Sequence, residues 1–342
     1  MSLYLSKPTY PASPVRSVSS LAKALRTNEN FLRDLANRAN SLWRTVRPKP
    51  GSSRQTFDAI GPLKQIHRLL KHTFFQKVNF PPYLQGSLKG CDYVSNAALH
   101  EGKQILICED VKSFFPSVRA EFVEDVWCGF FGFSPEVSQL LTLLTTKDGQ
   151  LPQGAITSSY LANLVMWRRE PLLHAKLAEK GITYSRYVDD MCMSSKEYLD
   201  KETQTWVIAQ IYGLLSSHGL RAGRKKHEIF SASKPMIATK LIVNQKPSLP
   251  KKKRSMIRAQ VKHLEIAFEK NLPPDELRVL ANKASNLVGQ LGRFHQADAN
   301  LLRKRIKKVR DSIPSDETPV VTGPTGFITD SVRQDPETPP WI

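Results

Sequence analysis

The chain has 342 residues, more than one average domain needs, so we expect its core to be divided among two or three subdomains. Its formal net charge of +19 predicts a polyanionic partner, most simply nucleic acid. Secretion and membrane insertion are not expected, because no apolar run approaches the length that spans a bilayer and residues 1–20 lack a continuous apolar core.

The four cysteines lack the paired short spacings of zinc sites and disulfide frameworks. They are Cys91, Cys108, Cys128 and Cys192. We interpret them as reduced core residues, which is typical of a cytoplasmic protein.

The first predicted elements are helical. Apolar side chains recur every three or four residues over 20–44 and over 61–79, and each pattern predicts a helical region. Between them, residues 44–54 form a basic loop that contains two prolines and a glycine.

Two acidic strand ends come next. Residues 104–110 read as an apolar strand that ends at Asp110, and residues 184–193 read as two strands joined by a turn that holds Asp189 and Asp190. Such carboxylates can hold two hard cations about 3.5–4 Å apart. Because side chains alternate along a strand, we expect only Asp189 of the adjacent pair to face the metal. The pair alone could also be a solvated turn.

The intervening segments have simpler patterns. Residues 151–164 form a loop that leads into a helix ending near Gly181, and Gly154 in this loop allows close backbone approach to a ligand. Residues 120–147 and 202–218 read as packing helices, and 237–244 as one strand.

The C-terminal part is strongly basic. Residues 251–311 contain sixteen Lys or Arg against six Asp or Glu, spread over three helical patterns. The acidic, proline-rich stretch 312–342 is predicted to be disordered.

Taken in order, Asp110, the 151–164 loop and Tyr187-Val188-Asp189-Asp190 resemble the palm of a reverse transcriptase, and the resemblance covers most of residues 20–311. Asn96-Ala97-Ala98-Leu99-His100 is similar to the Asn-Ala-x-x-His signature of retron reverse transcriptases. We treat His100 as a marker of this subgroup and not as a catalyst.

The resemblance implies an α+β, right-hand polymerase fold. The implied parts are an N-terminal extension (1–19), N-terminal helices and fingers (20–103), a palm with an antiparallel sheet (104–248), a helical thumb (249–311) and the tail (312–342).

The resemblance also implies catalytic roles. Asp110 and Asp189 would hold two Mg²⁺ ions, with Mn²⁺ as an alternative, and Asp190 would support them. Lys225, chosen over Lys226, would stabilise the leaving pyrophosphate or donate a proton to it.

Five residues would contact the incoming nucleotide. Lys49 and Arg54 would bind its triphosphate, although a solvated basic loop has the same composition. Phe115 resembles the ring that excludes a 2′-hydroxyl, and Gln153 and Gly154 would line the pocket. Phe114 precedes Phe115 directly, and consecutive strand residues face opposite ways, so one of the two must lie in the core.

The last predicted helix carries four candidate nucleic-acid contacts, which we call the C-terminal cations. They are Arg303, Lys304, Lys307 and Lys308. Their expected role is sequence-independent contact with duplex backbone, and the alternative is a solvated charged face.

Several positions depart from the retron pattern. Ile156 and Ser159 stand where proline is common, and Gly223 replaces an asparagine. Of the Val-Thr-Gly signature expected within 237–244, only Thr239 is present. The loss of this signature puts the identity of the cognate RNA in doubt.

The implied function is RNA-directed DNA synthesis from dNTPs on a structured non-coding RNA that serves as template and primer. An RNA–DNA product, an effector protein and a role in phage defence are implied by the same resemblance. The alternatives are another bacterial defence-associated or intron-like reverse transcriptase and, in a different class, a catalytically idle RNA-binding scaffold.

Overall fold

The computed structural model describes residues 5–47, 54–223 and 227–314, and divides the chain into two compact units, 1–247 and 248–342. The predicted disorder of the tail concerns residues that lie almost entirely outside the described part. No helix among the described residues combines the length and hydropathy that crossing a membrane requires.

The first unit combines short helices with small antiparallel sheets. Its helices are α1 (Val18–Ala24), α2 (Glu29–Arg38), α3 (Gly61–Thr73), α4 (Tyr93–Ala98), α5 (Phe114–Ser117), α6 (Ala120–Asp125), α7 (Pro135–Thr145), α8 (Ser158–Leu164), α9 (Glu170–Glu179) and α10 (Lys201–Ser216). Its strands are β1 (Trp43–Val46), β2 (Thr56–Ala59), β3 (Ile105–Asp110), β4 (Ile182–Tyr187), β5 (Asp190–Ser195), β6 (Glu228–Ser231), β7 (Ile237–Ala238) and β8 (Leu241–Ile242).

A four-stranded antiparallel sheet of order β4-β5-β3-β6 organises this unit. Side chains alternate along each strand, so Ile107, Met191 and Tyr184 share one face and belong to the main hydrophobic core. Asp110 and Asp190 are register partners and therefore share the opposite face. We call this face, which carries Asp110 and Asp190, the acid face.

The sheet confirms that residues 184–193 form two strands joined by a turn. The 20–44 region is largely helical, as predicted, and comprises two helices separated where Arg26 adopts a left-handed φ of 52°. Two other predicted elements differ. The helix expected to run on to Gly181 is broken, because Pro171 opens a separate helix α9. The 237–244 strand is instead the β7–β8 hairpin, whose turn residues Thr239 and Lys240 have φ values of 42° and 70°.

Two smaller expectations were also wrong. Phe114 and Phe115 lie in a helical turn, not a strand, although Phe114 is the buried member and Phe115 is half-buried. Cys128 is exposed and is not a core residue. All four cysteines are free thiols.

The second unit contains the three predicted helices, α11 (Lys251–Glu269), α12 (Pro274–Gly292) and α13 (Gln296–Asp311). Buried aliphatic residues on each helix, such as Leu264, Val288 and Ile306, form its core. Arg305 on α13 donates two 2.7 Å hydrogen bonds to the Glu265 carboxylate on α11. This two-pronged ion pair links the two helices at their surface.

Candidate active site

The sheet register brings three carboxylates together. Asp110 is the last residue of β3 and pairs with Asp190, the first residue of β5, while Asp189 lies in the turn just before it. The Val111 amide donates to the Asp189 carbonyl at 2.9 Å and holds the turn against the end of β3. Each of the three aspartates offers a carboxylate oxygen within 4.8 Å of the other two.

This donor set fits a divalent cation. Mg²⁺ and Mn²⁺ prefer oxygen ligands, and three carboxylates at this separation repel one another unless positive charge lies between them. Asp110 is buried, and Asp189 and Asp190 are half-buried. We expected only Asp189 of the adjacent pair to reach the cluster, but both do, because Asp189 lies in a turn where strand alternation does not apply.

The turn that presents Asp189 depends on a strained residue and a buried cation. Val188 has a φ of 60°, a conformation that is costly for a β-branched side chain. Arg186, which is 0% exposed, donates from Nη1 to the Val188 carbonyl at 3.2 Å. The same guanidinium donates to the Glu170 carboxylate at 2.6 and 2.8 Å.

Glu170 keeps Arg186 charged inside the protein. Burial would lower the pKa of Arg186, but the charge of Glu170 and its hydrogen bonds outweigh this effect and raise the pKa overall. Tyr184 adds a 2.7 Å hydrogen bond from its hydroxyl to Glu170. A fully bonded ion pair therefore lies beneath the acidic turn.

Gly86 packs directly against the acidic turn, and the sequence did not single it out. Its segment runs beside β4, where the Arg186 amide donates to the Tyr83 carbonyl at 2.8 Å. A Cβ atom on Gly86 would lie 2.3 Å from the Val188 backbone nitrogen. No local signal marks this residue, because its partner lies about a hundred positions further along the chain.

A second glycine contacts Asp110 itself. The Gly223 amide donates to the Asp110 carbonyl at 2.6 Å, and a Cβ atom on Gly223 would lie 2.8 Å from Asp110 Oδ2. A side chain at this position would therefore require the Asp110 carboxylate to shift. The neighbouring candidate Lys225 lies outside the described residues.

Glu109 and His227 form a further pair next to the acids. His227 Nδ1 lies 2.6 Å from Glu109 Oε1. Burial raises the pKa of Glu109, and the hydrogen bond from His227 only partly offsets this effect. The pair links β3 to the start of β6. Neither residue was among those that the sequence predicted for the site.

The 151–164 loop, which contains Gln153 and Gly154, is hydrogen-bonded to the β1–β2 hairpin. The Phe57 amide donates to the Gln153 carbonyl at 2.8 Å, and a Cβ atom on Gly154 would lie 2.7 Å from the Phe57 carbonyl oxygen. Gly154, with a φ of 108°, thus lies against the backbone of the protein itself. Arg54 lies two residues before the start of β2, and Lys49 lies outside the described residues.

The C-terminal cations lie on exposed positions of α13, in the second unit. Arg303 donates to Asn300 Oδ1 at 2.8 Å within the same helix. The buried residues of α13, including Leu302 and Ile306, recur every three or four positions and leave these four side chains on the solvent side.

Comparison with known proteins gives one family. A family model described as reverse transcriptase (RNA-dependent DNA polymerase) matches residues 48–268. The retron Se72 reverse transcriptase of Salmonella heidelberg is 31% identical over 89% of this chain and 82% of its own length. The retron Ec48 reverse transcriptase of Escherichia coli is 27% identical over 87% of this chain and 77% of its own.

A similar solved structure is that of telomerase from Candida albicans in complex with a fragment of telomeric RNA. It is 11% identical, with a TM-score of 0.45, and the match covers 83% of this chain and 59% of that chain.

Proposed function

The chain belongs to the retron-type reverse transcriptases, which are RNA-directed DNA polymerases, and we propose that it adds deoxynucleotides to a primer at Asp110, Asp189 and Asp190. The observation that carries this assignment is the cluster of three carboxylates within 4.8 Å of one another. The family implies a polymerase fold, and within it we assign 104–248 to the palm and 249–311 to the thumb.

The three aspartates would hold two divalent ions, Mg²⁺ or Mn²⁺. When bound, these ions supply positive charge to the attacking and leaving oxygens of an in-line phosphoryl transfer. Asp110 and Asp189 are the proposed shared ligands and Asp190 their support. The role of the protein is to keep the carboxylates in place before nucleotide binding, so that little reorganisation is needed during reaction.

Other side chains would bind the nucleotide. Lys49 and Arg54 would contact the triphosphate, and Lys225 would stabilise the leaving pyrophosphate or donate a proton to it. Phe115, half-buried in α5, would exclude a 2′-hydroxyl and so select deoxynucleotides. Gln153 and Gly154 would shape the pocket wall.

Primer extension on an RNA template with Mg²⁺ tests the assignment. We expect Asp110→Asn and Asp189→Asn to lower the rate on the order of 10³-fold, since each removes a ligand whose ion contributes several kcal/mol. Asp34→Asn is the matched control, because Asp34 forms an exposed ion pair with Arg38, a kind of contact that contributes little to stability. Unchanged extension by Asp189→Asn would refute the site.

The template we propose is a structured non-coding RNA that also supplies the primer, giving a joined RNA–DNA product. Support comes from the similarity to retron reverse transcriptases over most of this chain. Sequencing the nucleic acid that copurifies with the protein tests this proposal, and a product without DNA would contradict it. We also propose that the protein acts in phage defence together with an effector protein. Plating phage on cells with and without the locus tests this role.

A further inference from the structure

A buried polar network lies on the acid face of the sheet, away from the carboxylates. It comprises Asn96 on α4, His100 just after that helix, Ser185 on β4 and Ser194 on β5, all 1% exposed or less. His100 Nε2 lies 2.8 Å from Ser185 Oγ and His100 Nδ1 lies 2.7 Å from Ser194 Oγ. Ser185 also lies 2.7 Å from Asn96 Oδ1. None of these side chains has a part in the chemistry proposed above.

The direction of every hydrogen bond in this network follows from its chemistry. The Asn96 carbonyl oxygen can only accept, so the Ser185 hydroxyl donates to it. Ser185 Oγ then accepts from His100, which places the proton on Nε2, and the Ser194 hydroxyl donates to the bare Nδ1. Burial lowers the pKa of His100 to about 3, so the ring is neutral and keeps this arrangement at physiological pH.

The network joins β4 and β5, the hairpin that carries Asp189 and Asp190. Ser185 lies four residues before Asp189, and Ser194 lies four residues after Asp190. Four residues of extended chain span about 13 Å, so His100 acts on the acids only through the hairpin. A one-residue slip between strands would turn their side chains to the wrong face, and a directional network opposes such a slip better than apolar packing does.

The β7–β8 hairpin is attached to the same helix. The Thr239 hydroxyl donates to the Tyr93 carbonyl at 2.8 Å, and Asn96 Nδ2 lies 3.5 Å from Thr239 Oγ1. The helix itself is fixed by Asp92, whose carboxylate accepts from the amides of the first turn in a capping box with Ser95. Asn96 and Thr239 therefore meet at one structural junction.

We propose that Asn96 and His100 are positioning residues, which hold the β4–β5 hairpin in register so that Asp189 and Asp190 face Asp110, and that they do not contact nucleic acid. Their burial excludes a direct contact with RNA. The inference rests on the proposed function, because it assigns these residues a role in placing its carboxylates.

The test uses His100→Leu, which removes both ring hydrogen bonds at similar volume, and His72→Leu as the control at an exposed histidine. Mn²⁺ binding is titrated without nucleic acid, and extension of oligo(dT) on poly(rA) gives kcat and the Mn²⁺ dependence. Fluorescence anisotropy gives the affinity for that primer–template. For His100→Leu we expect about tenfold weaker Mn²⁺ binding and a matching fall in kcat, with primer–template affinity within about twofold of wild type.

Two results would overturn the inference. One is Mn²⁺ binding and kcat equal to those of wild type in folded His100→Leu, and the other is a selective loss of primer–template affinity, which indicates a surface contact. If His100→Leu does not fold, Ser194→Ala removes a single hydroxyl from the same network, and we expect about threefold weaker Mn²⁺ binding. If the wild-type chain does not extend primers, the proposed function itself is refuted. If the wild-type chain extends primers and Asp189→Asn does not, the proposed function holds, and an unexpected result for His100→Leu counts against the positioning role alone.

Discussion

Replacing Gly86 by alanine should displace the acidic turn without removing any functional group. The added methyl carbon would lie 2.3 Å from the Val188 nitrogen and 2.5 Å from Val188 Cγ2. The side chain of Val188 could rotate away, but its backbone nitrogen cannot. Asp189 is the next residue, so a shift of Val188 moves the carboxylate directly.

The size of the displacement follows from these distances. Reaching 3.0 Å, below which real Cβ contacts are essentially never found, needs a shift of at least about 0.7 Å, and ordinary contact needs more than about 1 Å. A misplacement of about 1 Å typically costs on the order of 10²-fold in rate. Overpacking should also destabilise the fold by about 1–3 kcal/mol.

The assay is single-nucleotide extension on an RNA template, run well below the melting temperature of each variant. Gly213→Ala is the matched control, since Gly213 lies within α10 and an added Cβ meets nothing within 4 Å. The double variant Gly86→Ala/Val188→Ala should stay defective, because the closest contact is with backbone. Wild-type rates from folded Gly86→Ala, or full rescue by Val188→Ala, would refute the reasoning.

Three further outcomes are expected. Arg186→Met should lower the free energy of unfolding by about 3–5 kcal/mol in chemical denaturation, because it leaves the Glu170 charge buried and unpaired. Adding Glu170→Leu should recover part of this loss. Equal stability of the single and double variants would contradict the explanation. Burial lowers the pKa of His67 to about 4 and of His100 to about 3, so their neutral forms stabilise the fold above pH 6.5 and this contribution is lost as pH falls towards 3. As the pH falls from 6.5 to 5, the lowered pKa of each histidine should reduce the free energy of unfolding by about 2 kcal/mol. A flat stability profile over this range would count against both assignments. Lys307→Ala should reduce the slope of log affinity against log salt by about 1 on duplex substrates, whereas an unchanged slope would remove Lys307 from the interface.

The sequence by itself determined the family, the three carboxylates and the hairpin that carries two of them. Each of these was readable because its signal is local, as when an apolar run ends in an acid at Asp110 or a strand pattern is interrupted by Asp189-Asp190. The helices of the second unit were predictable for the same reason, since each buries one face at helical spacing.

The tertiary structure alone decided what holds those acids in place. The contacts of Gly86 with Val188, of Glu170 with Arg186 and of His100 with the hairpin join residues that are separated in sequence, and no local pattern encodes a partner's position. Elements with weak or conflicting local preference were mispredicted for a related reason. The β7–β8 turn at Thr239 requires a positive φ that its residue type does not favour, so surrounding contacts, including the Thr239 bond to Tyr93, set its conformation.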